Sequence, residues 1–371
     1  MKYNIWNKWD PLKVCMLGNN YAPEFFNGIP DKAGDPLKRI CEETLEDLAG
    51  FKKILQDFGV EVIQPDLDPN ERFIDNPHRY PRGPLQPRDY QLVLGNKLYS
   101  YNDDHSAIYQ KLKEYGEVSR INFPYPNLSE RRWNIFKGPD YPSWEYFQEN
   151  HKDQTKFEPW LWDELMEISR YDWLSSALCF MLGKKLYVGL GEGAVIPSVI
   201  TDDIFDKFEV KFLPMYGHTD GNFHPIKPGA ILSLYDVQNY EKTFPDWDVC
   251  YLPDQSWPKV ANFSRLKEKN QGKWWLAGEE DNDEFTHFVE TWLQDWVGYV
   301  EETVFDVNVL MLDEHHCCVS NPNNKQVNAF LKKHKVEPVH VPWRHRYFWD
   351  GGLHCITLDL YREGEQKDYF I

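Results

Sequence analysis

One cysteine near the end of the chain stands where a nucleophile could work. Cys355 follows Gly351 and Gly352 and precedes a short apolar run at 356–360. Two adjacent glycines allow positive φ and the close approach of a ligand, and a thiolate needs access and polar neighbours to react. The pattern therefore predicts a reactive thiol at the mouth of a strand. The alternative is a small buried cysteine in the core, since free cysteine is often buried.

A histidine and two aspartates supply the other groups that such chemistry requires. His218 and Asp220 form a His-x-Asp pair ahead of an apolar strand at 230–234, and Asp89 directly follows Arg88. A cysteine nucleophile needs a proton carrier, which histidine can provide. A carboxylate can hold a guanidinium through two parallel charge-assisted hydrogen bonds. Turn capping, or for Asp89 a salt bridge to Arg88, is the alternative role.

The run His315-His316-Cys317-Cys318 contains metal-binding residue types. Neighbouring side chains alternate between the two faces of a strand, so four consecutive residues cannot converge on one ion. The sequence contains no phosphate loop, dinucleotide fingerprint or zinc-binding spacing. We therefore expect no metal and no cofactor.

The composition is strongly acidic. The 371 residues include 41 Lys and Arg against 59 Asp and Glu, a net charge of −18. This charge disfavours nucleic acid and anionic membranes as partners and fits the attraction of small cationic substrates, although solubility alone would also explain it. Seven scattered cysteines without a CxxC pattern, and no apolar run of membrane length, predict a soluble cytoplasmic protein.

The hydrophobic pattern predicts an α/β fold built from repeated hairpins. An apolar strand at 14–18, a helix at 35–58 and a strand at 60–63 form a first strand-helix-strand unit. The string Leu-Gly-x-Lys-Leu-Tyr occurs at 94–99 and again at 182–187, and in each copy a glycine turn would join two strands. Further helices are expected at 103–115, 200–207, 285–298 and 324–333.

Several strings resemble the glycine amidinotransferase family, a branch of the guanidine-modifying superfamily. They are Gly-Gly-x-His-Cys-x-Thr at 351–357, His-x-Asp-x-x-Phe at 218–223, Pro-Arg-Asp at 87–89 and Asn-Val-Leu-Met-Leu-Asp-Glu at 308–314. The resemblance implies a five-bladed α/β propeller with pseudo-fivefold repeats, in a single domain spanning 1–371. The Trp-, Tyr- and Pro-rich segment at about 122–170 is then an insertion covering the site or a surface excursion.

The same resemblance implies a role for each candidate residue. Cys355 would be the nucleophile, and His218 would carry protons. Asp89 and Asp220 would hold the donor guanidinium, with Arg88 beside them in the substrate site. The partners would be small molecules, an arginine-like donor and an amine acceptor, and whether the chain forms a homodimer stays open.

The carboxylate that the family pairs with its histidine is missing from its expected place. Counting back from the glycine turn of the second repeat, that place falls near Ala177, Leu178 or Cys179, and none of these is acidic. Asp172 or Asp163 could serve only if the segment holds an insertion. We take Asp172 as the candidate, and its absence from the site would imply a weakened or re-purposed centre.

A second departure concerns the substrate pocket. The family's arginine after the serine-containing strand has no counterpart at 235–238, and the serines that the family shows before Asn308 are Glu301 and Glu302 here. Both changes make the pocket more acidic. A pocket that includes Glu302 predicts a substrate that lacks a carboxylate at that point or carries extra positive charge.

We therefore expect transfer of the amidino group of L-arginine, or a similar donor, to an amine through a covalent amidino-cysteine. A guanidino-compound hydrolase, in which water resolves the same intermediate, is one alternative, and the two differ mainly in how water is excluded. A non-catalytic binder of guanidino compounds or polyamines is the other, because the expected carboxylate is missing.

Overall fold

The computed structural model describes most of the chain outside the segment that contains 122–170. The described residues are 2–75, 84–100, 106–120, 176–190, 206–214, 218–234, 239–253, 275–293, 296–297 and 304–370. The predicted insertion therefore lies outside them. Within the described residues, no helix is long and apolar enough to cross a membrane.

Fifteen described strands form five three-stranded sheets with one shared design. In each sheet the central strand pairs antiparallel with one neighbour and parallel with the other. The strands are β1 Leu12–Leu17, β2 Glu61–Ile63, β3 Gln91–Leu94, β4 Lys97–Ser100, β5 Ser119–Arg120, β6 Cys179–Leu182, β7 Lys185–Leu190, β8 Glu209–Pro214, β9 Phe223–Lys227, β10 Ala230–Ser233, β11 Asp248–Tyr251, β12 Leu310–Asp313, β13 His316–Val319, β14 Glu337–His340 and β15 Thr357–Arg362.

Four of the sheets use three consecutive strands, whereas the fifth joins the two ends of the chain. Strand β15 pairs antiparallel with β1, which in turn pairs parallel with β2. The last strand thus takes the place that the first strand of each hairpin takes in the other sheets. The expectation of α/β structure with repeated hairpins is confirmed for the described residues.

The two copies of the Leu-Gly-x-Lys-Leu-Tyr string form the same hairpin, as predicted. Leu94 pairs with Lys97, and Leu182 pairs with Lys185, so each loop contains two residues. Gly95 has φ +57° and Gly183 has φ +64°, a left-handed conformation that favours glycine at a two-residue turn.

Six described helices pack between and around the sheets. They are α1 Asp31–Asp57, α2 Ala107–Tyr115, α3 Tyr240–Thr243, α4 Asp283–Trp292, α5 Val304–Val307 and α6 Lys325–Lys333. Helices α2 and α6 lie within the predicted helical segments, α4 begins before and ends before its predicted segment 285–298, and α1 begins earlier than predicted. Of the segment 200–207, residues 200–205 lie outside the described residues and the last two form a turn.

Helix α1 buries one apolar face and ends in a glycine motif. Leu37, Ile40 and Leu55 are among its fully buried side chains. Gly59 has φ +75°; its N–H bonds to the Gln56 carbonyl and the next N–H, of Val60, bonds to the Leu55 carbonyl. This end turns the chain into β2, so the predicted strand-helix-strand unit is present.

A buried ionic cluster joins the sheets near the start of β15. The Asp359 carboxylate accepts from Arg88 at 2.7 Å and from Arg362 at 2.8 Å, and all three side chains are at most 2% exposed. Arg362 also donates to the main-chain oxygens of Asp10 and Met311. These bonds tie the chain before β1 and strand β12 to strand β15, so they fix the strand that follows the candidate nucleophile.

Asp359→Asn should destabilise the fold by about 3–5 kcal/mol, because it leaves two buried guanidinium groups without a counter-charge. Equilibrium urea unfolding measures the loss. Asp57→Asn, which breaks only an exposed pair with Lys53, is the matched control and should change little. Similar unfolding midpoints for the two variants would contradict the central role given to Asp359.

Candidate active site

The turn that carries the candidate nucleophile is anchored by tryptophan side chains. The Trp349 indole is 1% exposed and donates to the Thr44 hydroxyl of α1 at 2.8 Å. The Trp343 indole donates to the Gly351 carbonyl at 2.8 Å. Gln86 donates to the Trp349 carbonyl at 2.7 Å, from the segment that leads into Asp89. Burying aromatic rings whose N–H groups are satisfied holds the turn in one place.

The two glycines are needed for close packing, not for unusual backbone angles. A Cβ on Gly351 would lie 2.5 Å from Gln86 Nε2, and a Cβ on Gly352 would lie 2.7 Å from Asn308 Oδ1. Neither glycine has positive φ; the left-handed residue of this turn is Asp350, with φ +47°. The expectation that the glycines provide positive φ is therefore wrong, whereas the close approach that they permit is real, although neighbouring protein groups use it.

Asn308 organises the nucleophile, and the sequence analysis missed it. Its Oδ1 accepts from the N–H groups of His354 at 2.9 Å and Cys355 at 3.0 Å. Its Nδ2 lies 3.1 Å from Cys355 Sγ and donates to the Asp220 carbonyl at 3.3 Å. The apolar string that follows it, at 309–312, by itself indicates only a strand. The signal was its position, since Asn308 precedes β12 (Leu310–Asp313) and is a polar residue that is only 2% exposed.

The structure brings four predicted site residues together. A carboxylate oxygen of Asp89, an imidazole nitrogen of His218 and the Sγ atom of Cys355 all lie within 4.8 Å of one another. His218 Nδ1 is 3.8 Å from Asp89 Oδ1, and Cys355 Sγ is 3.7 Å from Asp220 Oδ2. Asp89 ends the short 3₁₀ turn Pro87–Asp89, and Asp220 lies in the similar turn Thr219–Gly221, directly before β9. Turns that precede the hairpins of two sheets thus supply the acidic groups.

The four site residues differ in their exposure to solvent. Cys355 is 7% exposed, and Asp89 and Asp220 are buried, whereas the His218 side chain is 39% exposed. The imidazole thus connects solvent to the buried thiol and carboxylates. This placement suits a group that exchanges protons with a substrate and with water.

The surroundings of the Cys355 thiol disfavour its ionisation. Burial, and then the charges of Asp220 and Asp89, raise the pKa of Cys355 well above its ordinary value. The hydrogen bonds from Asn308 and Gly352 lower that pKa only in part. A cation bound beside the two carboxylates would offset their charge, so thiolate formation and cation binding should favour each other.

The expected carboxylate is absent from the described chain next to His218. The Leu178 carbonyl accepts from the Thr219 hydroxyl at 2.7 Å, so this position contributes a main-chain oxygen to the turn beside His218. The Asp89 carboxylate lies 3.8 Å from the imidazole. Asp172 and Asp163 lie outside the described residues, and so do Glu301 and Glu302.

Arg88 does not occupy the place predicted for it. Its side chain is 0% exposed, binds Asp359 and donates from Nε to the His354 carbonyl at 2.7 Å. Because this guanidinium is fully buried and already paired with Asp359, we propose a structural role for Arg88 in place of the predicted substrate contact. The thiol, imidazole and carboxylates of the site also belong to metal-binding types, and we assign no metal to them.

The chain resembles curated amidinotransferases in sequence over most of its length. No protein-family profile matches the chain. The chain is 22% identical over 407 residues to the mitochondrial glycine amidinotransferase of Xenopus laevis, covering 98% of this chain and 84% of the relative. It is 23% identical over 375 residues to the L-arginine:L-lysine amidinotransferase of Pseudomonas savastanoi pv. phaseolicola, covering 92% and 85%.

Two solved structures share the fold over nearly the whole chain. An amidinotransferase of saxitoxin biosynthesis from Microseira wollei has a TM-score of 0.61 at 18% identity and covers 99% of both chains. The inosamine-phosphate amidinotransferase of Streptomyces griseus has a TM-score of 0.61 at 16% identity and covers 100% of this chain and 99% of that one. The fold is thus the α/β fold seen in amidinotransferase structures. The chain is thus similar in sequence, at low identity, to curated amidinotransferases and similar in fold to solved ones.

Asn308→Asp should slow alkylation of Cys355 by iodoacetamide roughly tenfold or more at a fixed pH, because it removes a donor to Sγ and can add a negative charge beside it. Peptide mass spectrometry measures the rate. Asn323→Asp makes the same chemical change at an exposed site and should leave the rate unchanged. Equal rates in the two variants, both folded by circular dichroism, would show that Asn308 does not govern the thiol.

Proposed function

We propose that the protein is an amidinotransferase that moves the amidino group of L-arginine, or a similar guanidino donor, to an amine through an amidino-cysteine. The observation that carries the proposal is the convergence of Cys355, His218 and Asp89 within 4.8 Å, with Asp220 3.7 Å from the sulfur. The relatives support the same chemistry, since both are named as amidinotransferases, one acting on glycine and the other on arginine and lysine.

The two carboxylates explain how the donor would be held. A guanidinium is planar and donates from several N–H groups, and carboxylates can accept them in parallel pairs. Asp89 and Asp220 both lie next to Cys355 Sγ, so a guanidinium bound to both would place its carbon near the sulfur. Its positive charge would offset the carboxylates and lower the pKa of the thiol at the moment when the nucleophile is needed.

The first half of the reaction forms the covalent intermediate. The Cys355 thiolate attacks the guanidinium carbon, and the C–N π electrons move onto nitrogen. As the tetrahedral carbon collapses, the bond to the side-chain nitrogen of the donor breaks. His218 protonates that nitrogen, so ornithine leaves as an amine when the donor is arginine. The amidino group remains on sulfur as a thiouronium cation, which the carboxylates continue to stabilise.

The second half reverses these roles. His218 accepts a proton from an incoming primary amine, whose nitrogen attacks the thiouronium carbon. The C–S bond breaks, the sulfur leaves as a thiolate, and a new guanidino compound departs. Asp89 is proposed to orient the imidazole. Asp172 is retained as a further partner of His218 and Glu302 as a substrate contact, on the resemblance alone.

We also propose the architecture, the domain organisation and the location of the protein. The five sheets would be the blades of a closed five-bladed α/β propeller, with the β15–β1–β2 sheet closing the ring. Residues 1–371 would form one domain with an insertion at about 122–170, and the protein would work in the cytoplasm on small-molecule substrates.

Hydrolysis of the same intermediate is the second candidate. The exposed His218 side chain supports it, because a water molecule could reach the proton carrier. The product distinguishes the two candidates, since water would release citrulline or another ureido compound and an amine would release a new guanidino compound.

Arginine without an amine acceptor should add about 42 Da to the protein, on Cys355, with release of about one equivalent of ornithine. Intact-mass and peptide mass spectrometry detect the adduct. Cys250→Ala, which removes another cysteine, should behave like wild type, whereas Cys355→Ala should give no adduct. Binding of arginine with neither adduct nor ornithine would favour a non-catalytic binder, and citrulline would favour the hydrolase.

Asp89→Asn and Asp220→Asn should each lower kcat/KM for arginine roughly tenfold or more, because each removes a charged acceptor of the guanidinium. Steady-state ornithine release measures the effect. Asp313→Asn alters an acidic residue that binds His316 in the β12–β13 hairpin, and it controls for the loss of overall negative charge. A similar decrease in kcat/KM in all three variants would argue against specific binding of the guanidinium by Asp89 and Asp220.

A further inference from the structure

A second histidine lies beside the nucleophile, buried where His218 is exposed. His354 is 1% exposed, and its Nδ1 is 2.6 Å from Asp220 Oδ2. The same carboxylate oxygen is 3.7 Å from Cys355 Sγ. The imidazole therefore contacts one of the two proposed donor-binding carboxylates from within the protein, and none of the steps above uses it.

We propose that His354 is a positioning residue that holds Asp220 ionised and aimed at the guanidinium of the donor. The proposal rests on the function proposed above and assigns His354 no contact with the substrate. In this proposal the two carboxylate oxygens of Asp220 have different partners. Oδ2 receives the imidazole N–H, and Oδ1, which is buried without a hydrogen-bond partner among the described residues, is left to accept from the substrate.

Main-chain hydrogen bonds and ring contacts hold the His354 imidazole in place. The main-chain N–H of His354 donates to Asn308 Oδ1 at 2.9 Å, and its main-chain carbonyl accepts from Arg88 Nε at 2.7 Å. The ring stacks on Phe180 at 6.1 Å and meets the His224 ring edge-to-face at 4.9 Å. A ring held at this many points can act as a fixed hydrogen-bond donor.

The surroundings also determine which nitrogen carries the proton. Burial, and then the positive charges of Arg88 and Lys8 with further contributions from His224 and Arg362, lower the pKa of His354 well below its ordinary value. The neutral ring has one proton, and the short contact with a carboxylate requires it on Nδ1. Nε2 is then a bare acceptor, buried without a partner in the described part of the chain.

Asp220 needs such a donor. Burial raises its pKa and the charge of Asp89 raises it further, whereas the charges of His218, Arg88 and Lys8 lower it. Its carboxylate accepts from the His354 imidazole and from the Cys355 thiol, and the thiol is the weaker donor. Since a hydrogen bond to the charged form favours ionisation, removing the imidazole should raise the pKa of Asp220.

Three variants test this role in the intact protein. His354→Phe keeps a ring on Phe180 and removes the donor, and His354→Asn places an amide N–H near the position of Nδ1. His224→Phe alters the adjoining buried ring, whose nitrogens have no hydrogen-bond partner among the described residues. The measurement is the pH profile of kcat/KM for arginine. For His354→Phe we expect the acidic limb to move to higher pH by roughly one unit, or tenfold in activity on that limb.

His354→Asn should restore most of the shift, and His224→Phe should leave the limb in place. A folded His354→Phe with the acidic limb of wild type would overturn the proposal. Equal shifts in His354→Phe and His224→Phe would also overturn it, because they would indicate a general effect on the buried cluster.

A substrate-free measurement separates this proposal from the proposed function. If Asp220 is neutral over more of the pH range, it repels the thiolate less, so iodoacetamide should alkylate Cys355 faster in His354→Phe than in wild type. Asp220→Asn should show the same gain, and combining the two should add nothing. Additive gains would overturn the proposal. Absence of an amidino adduct in wild type would refute the transferase and leave this result standing.

If the Phe variant does not fold, the wild-type protein still provides a test. The ¹⁵N spectrum of His354 should show Nδ1 protonated and Nε2 bare from about pH 6 to about pH 8. Protonation of Nε2, or a ring that titrates within that range, would overturn the proposal.

Discussion

A single carboxylate, that of Asp359, pairs with two buried guanidinium groups, one at each oxygen, and the geometry of the site depends on this arrangement. Arg88 reaches it from the turn that presents Asp89, and Arg362 reaches it from the far end of β15. Isolated buried charges are very costly, so the three groups can only be buried together. Their mutual requirement fixes the Asp89 turn relative to the strand that follows Cys355.

The Asn308 side chain fixes the nucleophile turn relative to Asp220 at shorter range. One amide accepts from two successive N–H groups of the nucleophile turn and donates toward both the sulfur and the Asp220 main chain. A side chain that makes four such contacts while only 2% exposed has little freedom to move. The thiol is therefore set relative to Asp220 by a neutral group, which adds no charge of its own to an acidic pocket.

The sequence was informative where a residue's type alone restricts its role, and less so where partners come from distant segments. The glycine turns at Gly95 and Gly183 and the end of α1 at Gly59 were predictable, because a two-residue hairpin and a helix end favour left-handed residues. The convergence of Cys355, His218, Asp89 and Asp220 was proposed from resemblance, since no local pattern joins segments more than a hundred residues apart.

Arg88 and Asn308 show why the remainder could not be predicted. An arginine beside an aspartate suggests substrate contact, but the partner of Arg88 is Asp359, 271 positions away. Asn308 lies in an apolar string whose pattern indicates only a strand, and its role appears once the turn at 351–355 is folded against it. In both cases the partner, not the residue, determines the function, and pairing over such distances leaves no trace in local periodicity.

The acidic pocket has a consequence for the chemistry of the thiol. A cysteine with a lowered pKa is reactive toward any electrophile or oxidant that reaches it, whereas the environment of Cys355 raises its pKa. Two carboxylates that disfavour the thiolate also favour a bound cation, so the same charges oppose reaction in the empty site and assist it in the filled one. A proton lost from sulfur as a guanidinium enters leaves the local charge nearly constant. Selectivity for cationic substrates would thus arise from the activation of the nucleophile as well as from binding, which an acidic site built around a low-pKa thiol could not achieve.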